Sequence, residues 1–232
     1  MKPAIFNTEM VRAILDGRKT QTRRIDKRLP SGDIEVTTQF DEQGRCFVFF
    51  DGKCFPLKHR LGEVLWVREP AKIIEHAGVT TWTADKIPNI TYEYLSDNSF
   101  NCIDIPSRFV PIPKWLINCQ GIPNGCIREM ARTFIRITNI RVERLNEISE
   151  EDAIAEGAIK IERNVKGYTN RTYTMVEWHY GNDEMSGQSP SDAFGLFWES
   201  IDGKESFDNR YVLVIEFELI SKEEAYRERH TT

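Results

Sequence analysis

The chain has 232 residues, 31 Lys plus Arg against 36 Asp plus Glu, and a formal charge of −5; 40% of it is hydrophobic and 29% charged. This is a globular composition, which excludes collagen, a long coiled coil and an extended disordered polymer. No apolar run reaches the roughly 20 residues of a membrane helix, and the net acidity excludes coating nucleic acid by bulk charge while leaving room for a local basic patch.

The opening Met1-Lys2-Pro3-Ala4-Ile5-Phe6-Asn7 lacks the apolar core of a signal peptide, so a cytoplasmic protein is expected. Ile5 and Phe6 suit a short strand. Asn7 or Thr8 can cap a helix whose face is Val11, Ile14 and Leu15 and whose stop is Gly17. A basic stretch follows, from Arg18 to Arg24, with Lys27 and Arg28 beyond. Its threonines, Thr20 and Thr22, favour a strand, whereas its charge density favours a solvated edge.

Gly32, Gly44 and Gly52 punctuate β-prone runs such as Cys46-Phe47-Val48-Phe49-Phe50, so residues 31–61 are expected to form hairpins. A strong strand runs from Gly62 to Glu69. Val64, Trp66 and Arg68 share one face, and Leu65, Val67 and Glu69 the other. The charged pair at its end either enters a cleft or marks the exit into solvent. Residues 70–132, broken by Pro88, Pro106, Pro111, Pro113 and Pro123, are expected to be a long irregular insertion with a small strand at Tyr92-Glu93-Tyr94.

After a strand from Thr133 to Val142, Ser149 is a good N-cap, with Glu150, Glu151 and Asp152 at the positive end of a helix that stops at Gly157. Glu156 sits in the last turn, where a carboxylate is disfavoured by roughly 0.3–1 kcal/mol. It is either a tolerated surface residue or an acid placed there for another reason. Residues 160–190 are polar, carry Tyr168, Tyr173, Trp178 and Tyr180, and are expected to be a lid. Ser191 or Asp192 is expected to cap a helix bearing Phe194, Phe197, Trp198 and Ile201. The closing strand, Tyr211 to Leu219, is apolar on its odd positions, and the tail from Ser221 is polar.

The five cysteines, Cys46, Cys54, Cys102, Cys119 and Cys126, are odd in number and form no Cys-x-x-Cys pair, so reduced thiols are expected. A zinc site from Cys119 and Cys126 with Cys102 or His76 would match no known spacing. No metal and no cofactor is expected.

The segment Gly17-Arg18-Lys19-Thr20-Gln21-Thr22-Arg23-Arg24 resembles the Gly-x-Lys-x-x-Glu-x-Arg signature of the ASCH family, a branch of the PUA-like barrels. Gly17, Lys19 and Arg24 match, and Thr22 stands where many members have Glu. The family's small bacterial amidohydrolases, which act on N4-acetylcytidine, carry Thr there. The strand from Gly62 to Val67 is similar to the family's Gly-Asp-x-Leu strand. Ser149 to Gly157 resembles its Leu-Thr/Ser-Glu-x-x-Ala segment, and Val214-Ile215-Glu216-Phe217 its closing strand. Leu65 to Glu69 and Arg141 to Leu145 are similar to ASCH proteins of bacteriophages and prophages. Against the latter the resemblance covers most of the chain, and against the small enzymes about half.

The resemblance implies an α+β fold, a PUA-like (ASCH) mixed β-barrel with short flanking helices. One domain would span 1–220, with insertions at about 70–132 and 160–190 and a polar tail at 221–232. It implies an amidohydrolase acting on an N-acylated cytidine or a related modified nucleoside or nucleotide. Lys19 would be the base and Thr22 the nucleophile, while Glu156 would protonate the leaving nitrogen or orient a water. Arg24, Trp66, Arg68 and Glu69 would bind substrate. In an ideal strand Lys19 points away from Thr22 and Arg24, so a turn or bulge is required. The alternative is a non-catalytic RNA- or modified-base-binding module, and a third reading is a ribonuclease, although His59, His76, His179 and His230 form no pair. The expected partner is a modified nucleoside or nucleic acid, RNA ahead of DNA, in the host cytoplasm for a phage-encoded chain. No membrane partner is expected, and oligomeric state is not legible. Trp82, Tyr92, Tyr94, Tyr168, Tyr173, Trp178 and Tyr180, interleaved with Lys86, Lys166 and Arg171, fit base stacking or ordinary loop packing.

Overall fold

The computed structural model describes residues 1–77, 89–109, 114, 121–122, 125–166, 172–180 and 185–228. Pro88, Pro111, Pro113, Pro123, Trp82, Lys86, Cys119, Tyr168, Arg171 and His230 lie outside the described residues, as do the side chains of His76 and Tyr173. In chain order the elements begin β1 (Lys2–Ile5), α1 (Thr8–Leu15), β2 (Gln21–Arg24), β3 (Thr37–Phe40), β4 (Arg45–Phe50) and β5 (Lys53–Arg60). Next come β6 (Val64–Arg68), β7 (Ala71–Ala77), β8 (Asn89–Tyr94), β9 (Phe100–Asp104) and β10 (Phe134–Arg144). The last are α2 (Glu150–Ala155), β11 (Ile159–Lys166), β12 (Thr172–His179), β13 (Ser186–Gly187), α3 (Pro190–Asp202), β14 (Tyr211–Ile220) and α4 (Lys222–Glu228). The fold is α+β, mostly sheet with few helices, and among the described residues the sheets are open, with no closed barrel. No described helix is long and apolar enough to cross a membrane.

The chain packs as two compact units. One comprises Met1–Arg12, Val64–Ile135 and Ile220–Thr232, the other Ala13–Glu63 and Arg136–Leu219. In the first, β1 runs parallel to β6, with Ala4 opposite Val67. The expected irregular insertion instead supplies an antiparallel sheet, β7–β8–β9. The register of β7 on β8 shifts between Ile73 and Glu75, and the expected strand at Tyr92-Glu93-Tyr94 lies within β8. Ile73, Ile90, Tyr92 and Tyr94 join Trp66, Met130 and Phe134 in a buried core. The tail is not wholly solvated: Ala225 of α4 is buried in this core, and Tyr226 meets Phe134 edge-on at 5.9 Å.

In the second unit β14 lies between β10 and β2. Val212, Leu213, Val214 and Ile215 are all buried, so the first half of β14 is covered on both faces rather than alternating. β3–β4–β5 and β11–β12–β13 form two further antiparallel sheets; the stretch expected to be a lid is thus largely a β-ribbon. Helix α2 begins where expected, with Ser149 Oγ accepting the Asp152 N–H at 3.1 Å. Helix α3 begins earlier than Ser191 or Asp192 would place it. Ser189 is the cap, in a reciprocal capping box with Asp192, and Pro190 fills the first turn, where its missing N–H costs nothing.

Candidate active site

The basic stretch after Gly17 is buried, not solvated. Lys19, Gln21, Thr22 and Arg23 are all buried, Lys19 at 2% exposure. Lys19 lies just before β2, where its N–H donates to Ala13 O at 2.9 Å, at the end of α1. The next residue is tied to both neighbouring elements: Thr20 N–H donates to Ala155 O of α2, and Phe217 N–H of β14 donates to Thr20 O, each at 2.8 Å. From this point every second side chain faces α2. Gln21 Nε2 donates to Asp152 O at 2.7 Å, and Arg23 reaches Asp152 at 2.7 Å, Glu143 at 3.0 Å and Glu156 Oε1 at 3.3 Å.

Lys19 belongs to that same face. Its ammonium donates to Glu156 Oε2 at 2.5 Å, to the Glu156 carbonyl at 2.9 Å and to Tyr180 Oη at 3.2 Å. All three donors are therefore used. The Tyr180 hydroxyl donates in turn to the Glu156 carbonyl, and its ring stacks on Phe197 at 3.9 Å. Glu156, also 2% exposed, caps the C-terminus of α2. The carboxylate is held at the unfavourable end of the helix by one ammonium and one guanidinium. Gly157 follows at φ +116°, and a Cβ there would lie 3.3 Å from Ala13 Cβ and 3.5 Å from Tyr180 Oη. Only glycine combines that backbone with that closeness.

Burial pushes the Lys19 ammonium below its ordinary value; the Glu156 carboxylate opposes this, and Arg24 and Arg23 reinforce it. Burial likewise lowers Arg24, against Glu156 and Tyr180. Tyr180 is driven well up by burial and then by the Glu156 charge. Burial works to raise Asp152, yet the hydrogen bond from Arg23 and the charge of Arg141 hold it below the usual carboxylate range. Arg141 extends the network, pairing with Asp152 at 2.6 Å and with Glu143 and Glu216. A cavity of about 510 Å³ borders it, lined in part by Glu143, Glu147, Asp152 and Tyr211. Both carboxylates bound to Arg23 thus open onto solvent, while the third, Glu156, does not.

Lys19 and Glu156 therefore meet, across 137 residues of chain. Thr22, 5% exposed, sits opposite Ile215 of β14, and strand alternation puts its side chain on the face away from Arg23 and α2. Arg24 is partly exposed, and its guanidinium is close enough to Lys19, Glu156 and Tyr180 for their charges to act on one another. Trp66, Arg68 and Glu69 belong to the other unit. Trp66 is 7% exposed within its core, and the Arg68 guanidinium lies 5.8 Å from the Trp66 ring. Glu69 is 0% exposed and accepts from Thr133 Oγ1 at 2.6 Å, Arg132 at 2.9 Å and Ser96 Oγ at 3.1 Å. Arg132 in turn lies over Tyr94 at 3.8 Å. Gly125, at φ +83°, passes so close that a Cβ would meet Glu69 O at 2.7 Å.

Sequence reasoning missed Tyr180, Arg23 and Asp152. Arg23 was within reach, since it shares the parity of Lys19. Tyr180 was not, because it binds a backbone carbonyl rather than a recognisable partner. Among the described residues no group of His, Cys, Asp and Glu is arranged to hold a metal ion, and Cys46, Cys54, Cys102 and Cys126 are free thiols. No protein-family model, no curated protein and no solved structure matches this chain.

Proposed function

We propose that the chain is an amidohydrolase acting on an N-acylated cytidine or a related modified nucleoside or nucleotide, in an ASCH-type, PUA-like setting. The observation that carries the reading is the buried contact of Lys19 with Glu156, the two residues that the motif resemblance pairs. The order of the elements supports it as well: a helix, the Lys19 segment, the acidic helix α2 and the closing strand β14, which pairs with β2.

In this reading water is the nucleophile, because the Thr22 side chain is on the other face of β2. Because Glu156 does not open onto solvent, substrate binding must first uncover the pair; Glu156 then takes a proton from the water as the water oxygen bonds to the acyl carbon. The C–N bond then breaks, and the leaving nitrogen takes a proton from the Lys19 ammonium. Glu156 returns its proton to Lys19 across the 2.5 Å hydrogen bond, so the pair ends as it began. Arg23 holds Glu156 in place, and Arg24 orients the substrate. The products are a carboxylic acid and the free nucleobase amine.

One observation favours a second reading, a non-catalytic module that binds RNA or a modified base. The three donors of Lys19 are already satisfied within the protein. Incubation with acylated cytidines, free and within RNA, followed by mass spectrometry, separates the two. Acid release that disappears in Lys19→Ala supports the enzyme; no turnover on any substrate leaves the module.

A further inference from the structure

The sheet β3–β4–β5 has a composition unlike the rest of this acidic chain. Its strands carry five phenylalanines, four Lys or Arg, and no Asp or Glu. Cys46 and Val48 of the central strand are fully buried on one face. Phe47 and Phe49 alternate onto the other face and are partly exposed there. Exposed polar or small side chains surround them. Gln39 and Pro56 pair opposite Phe47, and Thr37 and Cys54 pair opposite Phe49. Two partly exposed rings thus stand at the centre of one sheet face, about 6.6 Å apart along the strand.

Cations continue the row. The Arg45 guanidinium lies 5.8 Å from the Phe47 ring, and Arg60 pairs opposite Arg45. Asp41 binds Arg45 at 2.6 Å from the adjoining turn. At the Phe49 end is a cavity of about 610 Å³, lined also by Thr37, Lys53 and Cys54, with Glu35 and Asp51 among its walls. We infer that this face binds single-stranded RNA, two successive bases stacking on Phe47 and Phe49. Aromatic rings on a sheet face stack splayed bases irrespective of sequence, which suits a protein without bulk positive charge. Arg45 and Arg60 take phosphates. Gln39 and Thr37, one beside each ring, supply the donors and acceptors that distinguish a 2′-hydroxyl from deoxyribose. The inference does not depend on what Lys19 and Glu156 do.

The test is fluorescence anisotropy of a labelled single-stranded RNA 10-mer titrated with the full chain. The double variant Phe47→Leu/Phe49→Leu keeps apolar contact but removes both rings. It should bind about 25-fold more weakly or worse, with an unchanged thermal melt. Phe47→Trp/Phe49→Trp should bind at least as well as the parent. With two phosphates contacted, the logarithmic salt slope should be about −1.4 and fall towards zero in Arg45→Ala/Arg60→Ala. Undiminished binding by the folded leucine variant overturns the inference. So does an absence of saturable binding by the parent, or equal affinity for single-stranded DNA or duplex RNA.

Discussion

At the scale of single residues the governing fact is that Lys19 and Glu156 are buried and paired, with Arg23 also bound to the carboxylate. A buried pair adds little over apolar packing, but removing one partner leaves the other charge without compensation. Glu156→Gln should therefore destabilise the protein by about 3–5 kcal/mol in urea unfolding. Lys19→Met combined with Glu156→Leu should cost less than the two single changes summed, as a double-mutant cycle would show. Both shifted groups make stability rise with pH, in two separate windows. Asp152 is held below its ordinary value, so its contribution is present above the usual carboxylate range and is lost as pH falls through the folded-state value. Asp152→Asn should flatten the acid limb of a stability-versus-pH curve. Lys19 is lowered, so the unfolded chain binds its proton more tightly, and its contribution improves as pH rises towards 10.5. Lys19 and Glu156 were legible as candidates from the motif; that they touch was not, because 137 residues separate them.

At the scale of elements, α2 is short and depends on its ends. Ser149→Ala removes the acceptor for the Asp152 N–H and should cost about 0.5–2 kcal/mol. At the other end, Gly157→Ala forces a side chain into a left-handed backbone and against Ala13, so it should destabilise by more than about 1 kcal/mol in thermal unfolding. Both ends were readable, because caps are local. Strand β2 was readable only in part. Charge density argued for solvent, and it is the carboxylates of Glu143, Asp152 and Glu156, supplied by other segments, that let Arg23 be buried. Of the β7–β8–β9 sheet only the strand at Tyr92-Glu93-Tyr94 was readable; the register of its neighbour β7 shifts between Ile73 and Glu75.

At the scale of the whole molecule, the free thiols report on packing in both units. Burial pushes Cys46 up to about 11 and Cys126 up to about 12, whereas Cys54 and Cys102 are exposed. Alkylation at neutral pH, followed by peptide mass spectrometry, should modify Cys54 and Cys102 first. Cys46 and Cys126 should react only once the chain unfolds. The α+β class and the choice of Lys19 and Glu156 came from the motif resemblance, while local chemistry was enough for the cap at Ser149, a first helix capped at Asn7 or Thr8, and the strand from Val64. Those features depend on neighbours within a turn or two of chain. The burial of the basic stretch, the packing of Trp66 into a core and the arrival of Tyr180 at Lys19 all arise from pairings between distant segments. A side chain's parity on its strand is written in the sequence; which element covers that face is not, because desolvation is favourable or costly only according to the partner that long-range packing brings to it.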